Sequence, residues 1–180
     1  GGAVGQVAKA LGASRVIGSA GSAEKVRHVV EDLGFDAAFS YKNGPVSAQL
    51  REAAPDGIDV YFDNVGGDIL DAALKNLARG ARVVICGAIS QYNETAPRGP
   101  SNYLSLLVNR ASMTGFVVFD YAPRYEEGRQ QLATWLREGR LAHREDIVDG
   151  LENAPAALNR LFDGSNTGKL LVRVAPEPAR

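Results

Sequence analysis

The sequence predicts an α/β fold, a doubly wound parallel sheet with helices on both faces. Helical and extended segments alternate between residues 5 and 90, and their connections are short enough for crossover units. A continuous apolar run at residues 83–85 ends abruptly at Cys86 and Gly87, which is typical of a strand buried on both faces. A glycine-rich helix start at residues 1–5 has no strand before it, so we expect the first strand to be missing or truncated in a piece of a longer protein.

The helices are predicted from apolar residues at helical spacing and from the residues that begin or end them. Ser22 is a good N-cap for the second helix, and Gly34 ends that helix. Gly139 ends the long amphipathic helix that contains Trp135. The predicted helices are 5–11, 23–33, 45–54, a segment after 67 that ends at 77, 103–108, 124–138 and 153–162.

The strands are predicted from short apolar runs bounded by turn residues. Arg79 and Gly80 are predicted to form the turn before the strand at residues 83–85. Residues 91–100 are rich in Pro, Gly, Asn and Thr and predict a loop, and the tail from residue 175 should be frayed. The other predicted strands are 15–19, 36–41, 58–63, 112–118, 146–148 and 169–174.

Composition excludes several classes of protein. The net charge of −1 gives no electrostatic footprint for nucleic acid or an anionic membrane, and no apolar run has the length of a membrane span. Cys86 is the only cysteine, which excludes an intramolecular disulfide and a cysteine-based zinc cluster. We find no ligand cluster for a metal, and we assign no role to His28 or His143. A soluble cytoplasmic protein is the default expectation.

The candidate site lies where the predicted strands end, because ligands of open α/β sheets bind beyond the carboxyl ends of the strands. Gly1 and Gly2 open a helix whose amides could face a phosphate, although a plain glycine turn explains them equally well. The strand at residues 15–19 ends without the acidic residue that would meet a ribose 2′-hydroxyl, and Lys25 follows, which favours the 2′-phosphate of NADP. Tyr41 could lie beside that phosphate. The alternative interpretations are that Lys25 is a solvated helix residue and that Tyr41 is an edge aromatic that covers the core.

Two further strand ends carry candidate residues. Asn64 follows the strand at residues 58–63 and precedes two glycines, so it points to a ligand contact or to a simple Asx-turn. Cys86 has no base near it in the sequence, so we interpret it as a buried small residue beneath a ligand rather than as a nucleophile.

These pieces together resemble the nucleotide-binding domain of zinc-independent medium-chain dehydrogenases/reductases, a Rossmann-type fold. The resemblance is to the prostaglandin reductase (leukotriene B4 dehydrogenase-like) group, with the curcumin reductases and the alkenal double-bond reductases, and it covers nearly the whole chain. The matching motifs are Val4-Gly5-Gln6-Val7-Ala8-Lys9, Gly21-Ser22-Ala23-Glu24-Lys25, Leu33-Gly34-Phe35-Asp36-Ala37-Ala38, Tyr41-Lys42, Phe62-Asp63-Asn64-Val65-Gly66-Gly67, Ile85-Cys86-Gly87-Ala88-Ile89-Ser90-Gln91-Tyr92-Asn93, Gly115-Phe116-Val117-Val118 and Asn166-Thr167-Gly168-Lys169.

The resemblance implies NADPH binding and hydride transfer to the activated C=C bond of a small enone or alkenal. It implies that Tyr92 lies at the cofactor and substrate and that Gly5 is a helix-packing glycine. Tyr92 is our candidate hydrogen-bond donor to the developing oxyanion, either directly or through the cofactor ribose. The cofactor contacts that it implies are Gly1, Gly2, Lys25, Tyr41, Asn64, Cys86, Gly87, Ala88, Ile89, Ser90, Tyr92, Phe116, Val117, Val118 and Asn166.

The resemblance also implies a domain organisation. Residues 1–165 correspond to the NADP-binding domain, and residues 166–180 to a strand and tail that pack on an N-terminal catalytic domain absent from this chain. Apolar surface should therefore be exposed. We expect a homodimer in the full-length protein, with residues 113–118 as the candidate contact edge. A quinone reductase is the enzymatic alternative, against which the loop at residues 86–93 argues. A nucleotide-binding or interaction module without catalysis is the alternative of another class.

Overall fold

The computed structural model describes residues 1–176, and the alternation of helices and strands follows the prediction. The helices are α1 (Gly2–Ala10), α2 (Ala23–Glu31), α3 (Val46–Ala53), α4 (Gly67–Leu74), α5 (Leu104–Asn109), α6 (Tyr125–Arg137) and α7 (Ala154–Asp163). The strands are β1 (Ile17–Ala20), β2 (Ala37–Ser40), β3 (Ile58–Asp63), β4 (Leu77–Ile85), β5 (Ser112–Gly115), β6 (Glu145–Asp149) and β7 (Lys169–Arg173). Short 3₁₀ helices lie at Ile89–Gln91, Val118–Arg124 and Leu151–Asn153.

All strand pairs in residues 1–176 are parallel, which confirms the predicted α/β class. The strands form three groups, β1-β2, β3-β4-β5 and β6-β7. Within the described residues, β1 and β3 each pair along one edge only. In a doubly wound fold of the Rossmann order the first strand lies between the second and the fourth. These two edges, of β1 and of β3, are therefore the ones that the predicted missing strand would join.

The core lies under β4, where α4 packs on the sheet. Leu74 and Val83 are almost fully buried, and they belong to one cluster with Leu70, Leu77 and Ala81. A second cluster joins Ala72 and Ala73 of α4 to Leu50 of α3. Helix α4 therefore contributes to both clusters and is held firmly. Because α4 begins only four residues after β3 ends, the helix also fixes the position of the carboxyl end of β3.

Helix α1 approaches its neighbours closely at Gly5. A Cβ built on Gly5 would lie 2.5 Å from both Cε atoms of the Phe35 ring, with Cζ closer still. Gly5 and Phe35 are both buried. The expected role of Gly5 as a packing residue therefore has a direct structural cause. The helix itself begins at Gly2 rather than at Gly5 as predicted, because the carbonyl of Gly1 already accepts the first helical hydrogen bond from the Gly5 amide.

The predicted turn at Arg79 and Gly80 is instead part of a strand. Helix α4 ends at Leu74 rather than at Leu77, and Leu77 is the first residue of β4. Ile58 pairs with Leu77 and Val60 pairs with Arg82, so the register shifts between these two pairs. Gly80 has a φ of 79°, a left-handed conformation that accommodates the bulge. Gly80 does have a turn-type conformation, as its sequence suggested, but β3 pairs with β4 both before and after it.

The strand predicted at residues 112–118 is shorter than expected. Strand β5 ends at Gly115, and Val118 already belongs to a 3₁₀ helix. Its partner β4 ends at Ile85, whose carbonyl accepts a last hydrogen bond from the Phe116 amide at 3.3 Å. Beyond that bond β4 offers β5 no further backbone hydrogen-bond partners, although the residues after Gly115 stay apolar.

Strands β6 and β7 and helix α7 form a β-α-β unit that contacts the rest of the chain through polar groups. The side-chain amide of Gln6 donates to the Ala142 carbonyl at 3.0 Å and accepts from the Ala142 amide at 2.6 Å. Lys25 donates to the Gly164 carbonyl. The domain boundary at residue 166 stays a prediction, and the predicted frayed tail falls partly on residues 177–180, outside the described residues.

Candidate functional site

Three strand ends meet at one edge of the sheet. Asp63 of β3 pairs with Ile85 of β4, and Ile85 pairs with Gly115 of β5. The residues that follow these strands include the predicted contacts Asn64, Cys86 and Phe116, so the structure brings the three segments together. They were predicted separately from three distant stretches, and the parallel register is what aligns them.

Backbone hydrogen bonds join the loop after β3 to the loop after β4. The carbonyl of Asp63 accepts from the amides of Cys86 at 2.8 Å and Gly87 at 3.1 Å. The carbonyl of Asn64 accepts from the Ile89 amide at 3.1 Å. The carbonyl of Val65 accepts from both the amide and the hydroxyl of Ser90, at 3.1 and 2.6 Å. Residues 64–67 and 86–92, which we call the paired loops, therefore form one surface.

Glycines keep the paired loops close. A Cβ on Gly67 would lie 2.9 Å from the Ser90 hydroxyl, and one on Gly66 would lie 3.2 Å from the Ala88 Cβ. Both glycines have positive φ, at 56° and 70°. A Cβ on Gly87 would lie 2.9 Å from the Tyr92 hydroxyl. A side chain at any of these three positions would collide with the facing loop or with Tyr92, so glycine is what allows the paired loops to pack this closely.

Tyr92 is free to act as a hydrogen-bond donor. Its hydroxyl oxygen accepts from the Ala88 amide at 3.3 Å. Because the oxygen is the acceptor in that bond, the hydroxyl proton stays available for a second partner. The side chain is 63% exposed, and its hydroxyl lies beside Gly87. The predicted role of Tyr92 stays a prediction, and this arrangement is compatible with it.

Cys86 is exposed, contrary to the prediction of a buried small residue. Strand β4 ends one residue earlier, and the Cys86 amide turns towards the Asp63 carbonyl. The residue thus belongs to the loop surface rather than to the strand interior. The apolar run before it suggested burial, but the run stops at the sheet edge.

Asp63 is 1% exposed, and its carboxylate is fully engaged. Its Oδ1 accepts from the amides of Val65 at 2.9 Å and Gly66 at 3.0 Å, and from the Tyr61 hydroxyl at 3.2 Å. Burial raises the pKa of Tyr61 well above its ordinary value, and the nearby negative charge of Asp63 and their hydrogen bond act in the same direction. The Tyr61 phenol therefore stays protonated and donates. Asp63 had no predicted role, although a carboxylate at the end of a strand is a signal of a functional residue.

A second cluster lies at the ends of β1 and β2. Ala20 pairs with Ser40, which brings the turn at Gly21 beside Tyr41. A Cβ on Gly21 would lie 2.7 Å from the Tyr41 hydroxyl and 3.5 Å from Cε of Lys42. Lys42 was not among the predicted contacts, although it belongs to the Tyr41-Lys42 motif of the family resemblance. The cluster therefore places a phenol and a lysine at a strand end that has no acidic residue.

Lys25 lies in the first turn of α2, which Ser22 caps as predicted. The Ser22 hydroxyl accepts from the Lys25 amide at 3.3 Å. The Lys25 ammonium donates to the carbonyl of Gly164, the C-cap residue of α7. The ammonium predicted to hold the phosphate therefore contacts a backbone carbonyl in this structure.

The remaining predicted contacts are distributed unevenly. The Phe116 ring lies 6.0 Å from the Phe62 ring and 5.8 Å from the Tyr121 ring, measured between centroids. Val117 and Val118 are exposed beside them. Asn166 donates to the Gly168 carbonyl at 3.0 Å, and no hydrogen bond within residues 1–176 joins it to residues 86–92. Gly1 and Gly2 lie at the start of α1.

The loop after residue 92 is tied to α4 by Asp71. Its carboxylate accepts from the Ser101 hydroxyl at 2.7 Å and from the Asn102 amide at 3.2 Å. Burial alone would raise the pKa of Asp71, but these hydrogen bonds and nearby Lys75 hold it below its ordinary value. The loop is therefore anchored to α4 at Ser101 and Asn102.

Residues 1–176 contain neither a metal-binding cluster nor a membrane-spanning helix. No group of three or more His, Cys, Asp or Glu side chains is arranged to hold a metal ion within this part of the chain. None of its helices combines the length and the apolar character of a membrane span.

Comparison with known proteins shows the family. The family model described as zinc-binding dehydrogenase matches residues 1–136. The chain is 47% identical over 179 residues to the putative NADP-dependent oxidoreductase YfmJ of Bacillus subtilis, and 46% over 175 residues to the NADP(+)-dependent 2-alkenal reductase of Nicotiana tabacum. It is 42% identical over 181 residues to the NADPH-dependent curcumin reductase of Escherichia coli. Each alignment covers 97% of this chain but only 51–52% of the relative, so the chain spans about half the length of these curated relatives.

Solved structures show the same fold. CurA from Vibrio vulnificus in complex with NADPH is 43% identical with a TM-score of 0.91, over 98% of this chain and 54% of that one. A quinone oxidoreductase from Pseudomonas syringae is 25% identical with a TM-score of 0.79, over 96% of this chain and 52% of that one.

Proposed function

The chain belongs to the zinc-binding dehydrogenase family of medium-chain dehydrogenases/reductases, and from that premise we propose that it is the cofactor-binding half of an NADPH-dependent enone and alkenal reductase. The observation that carries the proposal is the likeness to CurA solved with NADPH, over 98% of this chain. The printed names of the curated relatives, an NADP(+)-dependent 2-alkenal reductase among them, support the C=C bond as the target. The whole protein would be about twice as long as this chain.

The two clusters fit the two ends of NADPH. Lys25, Lys42 and the Tyr41 hydroxyl provide two cations and a hydrogen-bonding group where a 2′-phosphate would lie. The glycines let the paired loops pack into one surface, which we assign to the nicotinamide half. NADPH, when bound, supplies the hydride. Tyr92 then donates its hydroxyl proton in a hydrogen bond to the oxyanion that develops on the substrate.

Turnover by the full-length protein tests the proposal. NADPH oxidation would be followed with an alkenal, an enone and a quinone as acceptors. We expect the alkenal and the enone to be reduced faster than the quinone. Faster quinone reduction would favour the quinone reductase, which the P. syringae structure supports as the second candidate. NADPH binding without turnover of any acceptor would favour a module that only binds.

Lys25→Ala in the full-length protein is expected to weaken NADPH binding about 10–100-fold, since a charge-assisted hydrogen bond contributes about 1.5–3 kcal/mol. NADH, which has no 2′-phosphate, should bind nearly unchanged. The dissociation constants of both cofactors would be measured by fluorescence titration. Arg27→Ala, which removes an exposed cation two residues further along α2, is the matched control. An equal loss for the two cofactors would reject the phosphate assignment.

We also propose that the full-length protein is a homodimer that pairs through β5. Strand β5 is an edge strand with every residue exposed, and exposed apolar residues lie near it in sequence, among them Leu107 and Phe119. Such an edge is a template for pairing with a second chain. The outward-facing apolar residues of β6 and β7, including Ile147 and Leu171, support the separate proposal that this unit packs on the other half of the full-length protein.

Met113→Lys is expected to convert this dimer to monomer, because a lysine on an edge strand opposes pairing. Mass would be measured by light scattering during gel filtration. Met113→Leu, which keeps the apolar character, should remain dimeric. A monomeric wild-type protein, or a dimeric lysine variant, would reject β5 as the contact edge.

A further inference from the structure

Asp63 is a buried carboxylate that the proposed reaction does not use directly. It lies at the carboxyl end of β3 and is 1% exposed. A buried charge is costly unless it is fully hydrogen-bonded, and Asp63 is. Its position, between the apolar core and the candidate cofactor surface, suggests a role in holding that surface.

The side chain of Asp63 holds the first of the paired loops. Its two oxygens accept from the amides of Val65 and Gly66, at 2.9 to 3.2 Å. Gly66 is the N-cap residue of α4, so the carboxylate also occupies the positive end of that helix. The bond to the Val65 amide, two residues on, is an Asx-turn that is made by the buried Asp63, and it fixes the turn at residues 64–67.

The main chain of Asp63 holds the second of the paired loops. Its carbonyl accepts from both Cys86 and Gly87, the first two residues after β4. One residue therefore contacts both loops, the first through its side chain and the second through its backbone. A shift of Asp63 would move the two loops together relative to the rest of the sheet.

Tyr61 connects this arrangement to the core. Its hydroxyl donates to Asp63 Oδ1 at 3.2 Å, and its ring packs against both apolar clusters. Burial keeps the phenol in its protonated donor form, since it raises the pKa of Tyr61. The position of the carboxylate is thus defined from the core side as well as from the loop side.

We propose that Asp63, assisted by Tyr61, is the positioning residue that holds the paired loops in the geometry needed for hydride transfer. The inference rests on the proposed function and adds to it a residue that contacts neither cofactor nor substrate. A displacement of about 1 Å at a reacting centre can cost about 100-fold in rate, so loss of the charge should act on the chemical step.

The test uses Asp63→Asn in the full-length protein. The amide keeps the shape but replaces one accepting oxygen with a donor that would face an amide N–H. We expect kcat for an enone to fall about 10–100-fold, in line with a misplacement of up to about 1 Å. The isotope effect with NADPH deuterated at the transferred position should rise. NADPH affinity should fall less than kcat, because Lys25 and Tyr41, which we assign to the 2′-phosphate end of the cofactor, are untouched.

A second readout does not depend on activity. Amide hydrogen exchange in the cofactor-free protein should accelerate at residues 64–67 and 86–92 and stay unchanged at residues 17–53. Asp36→Asn is the matched control: that carboxylate, which precedes β2, accepts from the Val16 amide and from Lys9, both at 2.6 Å. It should lower the melting temperature without altering the isotope effect or exchange in the paired loops.

Tyr61→Phe keeps the test decisive if Asp63→Asn does not fold. It removes one donor to the carboxylate and should produce smaller changes in the same directions. An unchanged isotope effect together with unchanged exchange at residues 86–92, in whichever variant folds, would overturn the inference. If the wild-type protein reduces no acceptor, the proposed function fails instead. Loop exchange alone then decides whether Asp63 holds the paired loops.

Discussion

Gly5→Ala is expected to lower the free energy of unfolding by about 3 kcal/mol, the upper part of the usual range for overpacking a core. The new Cβ would overlap the ring of Phe35, whose Cε atoms lie 2.5 Å from its position. The Phe35 side chain is buried and a ring is rigid, so α1 itself must move. The loss outweighs the gain of about 0.5–1 kcal/mol that alanine brings to a helix interior. Urea unfolding followed by circular dichroism would measure the change.

Gly128→Ala is the matched control for this experiment. Gly128 is also inside a helix, α6, but nothing lies within 4 Å of the position of its added Cβ. It should therefore stabilise the protein by about 0.5–1 kcal/mol, the ordinary helix effect. If the two variants shift the unfolding midpoint in the same direction, close packing at Gly5 is not the reason for the glycine.

Tyr92→Phe in the full-length protein is expected to lower kcat for an enone about 100-fold, the usual cost of removing one donor to a developing oxyanion. The variant keeps the aromatic ring in its position near Gly87 and loses only the hydroxyl. NADPH affinity should stay within a few fold, so the effect appears in kcat rather than in cofactor binding. Steady-state kinetics with a separate NADPH titration would measure both.

Tyr121→Phe controls for loss of an exposed phenol. Tyr121 is 48% exposed and packs by its ring against Phe116, a contact that phenylalanine retains. Its turnover should match that of the wild-type protein. Unchanged turnover in Tyr92→Phe would remove Tyr92 from the catalytic residues, and a joint loss of kcat and NADPH affinity would reassign it to binding.

The order of elements and the edge that carries the site could be predicted from the sequence because both are local signals. Apolar spacing defines each helix and strand, and parallel pairing then requires all carboxyl ends to meet at one edge. The N-cap at Ser22 was identified for the same reason, since its partner is three residues away. The family resemblance supplied the cofactor, which spacing alone only favoured.

What the sequence analysis missed depends on partners that are distant in the chain. The bulge at Gly80 exists because β3 pairs on both sides of it, and β5 stops early because β4 stops. Cys86 is exposed because its strand ends at the sheet edge. Lys42 joins the candidate phosphate site through a turn some twenty residues earlier, and Asp63 joins two loops that lie about twenty residues apart.

The free edges of β1 and β3 have a consequence for handling the chain by itself. Each offers unpaired backbone groups to any extended segment that approaches, and so does β5. A net charge of −1 provides little mutual repulsion to keep copies apart. We therefore expect copies of the isolated chain to associate through backbone pairing, so the associated fraction should rise with protein concentration and respond weakly to added salt.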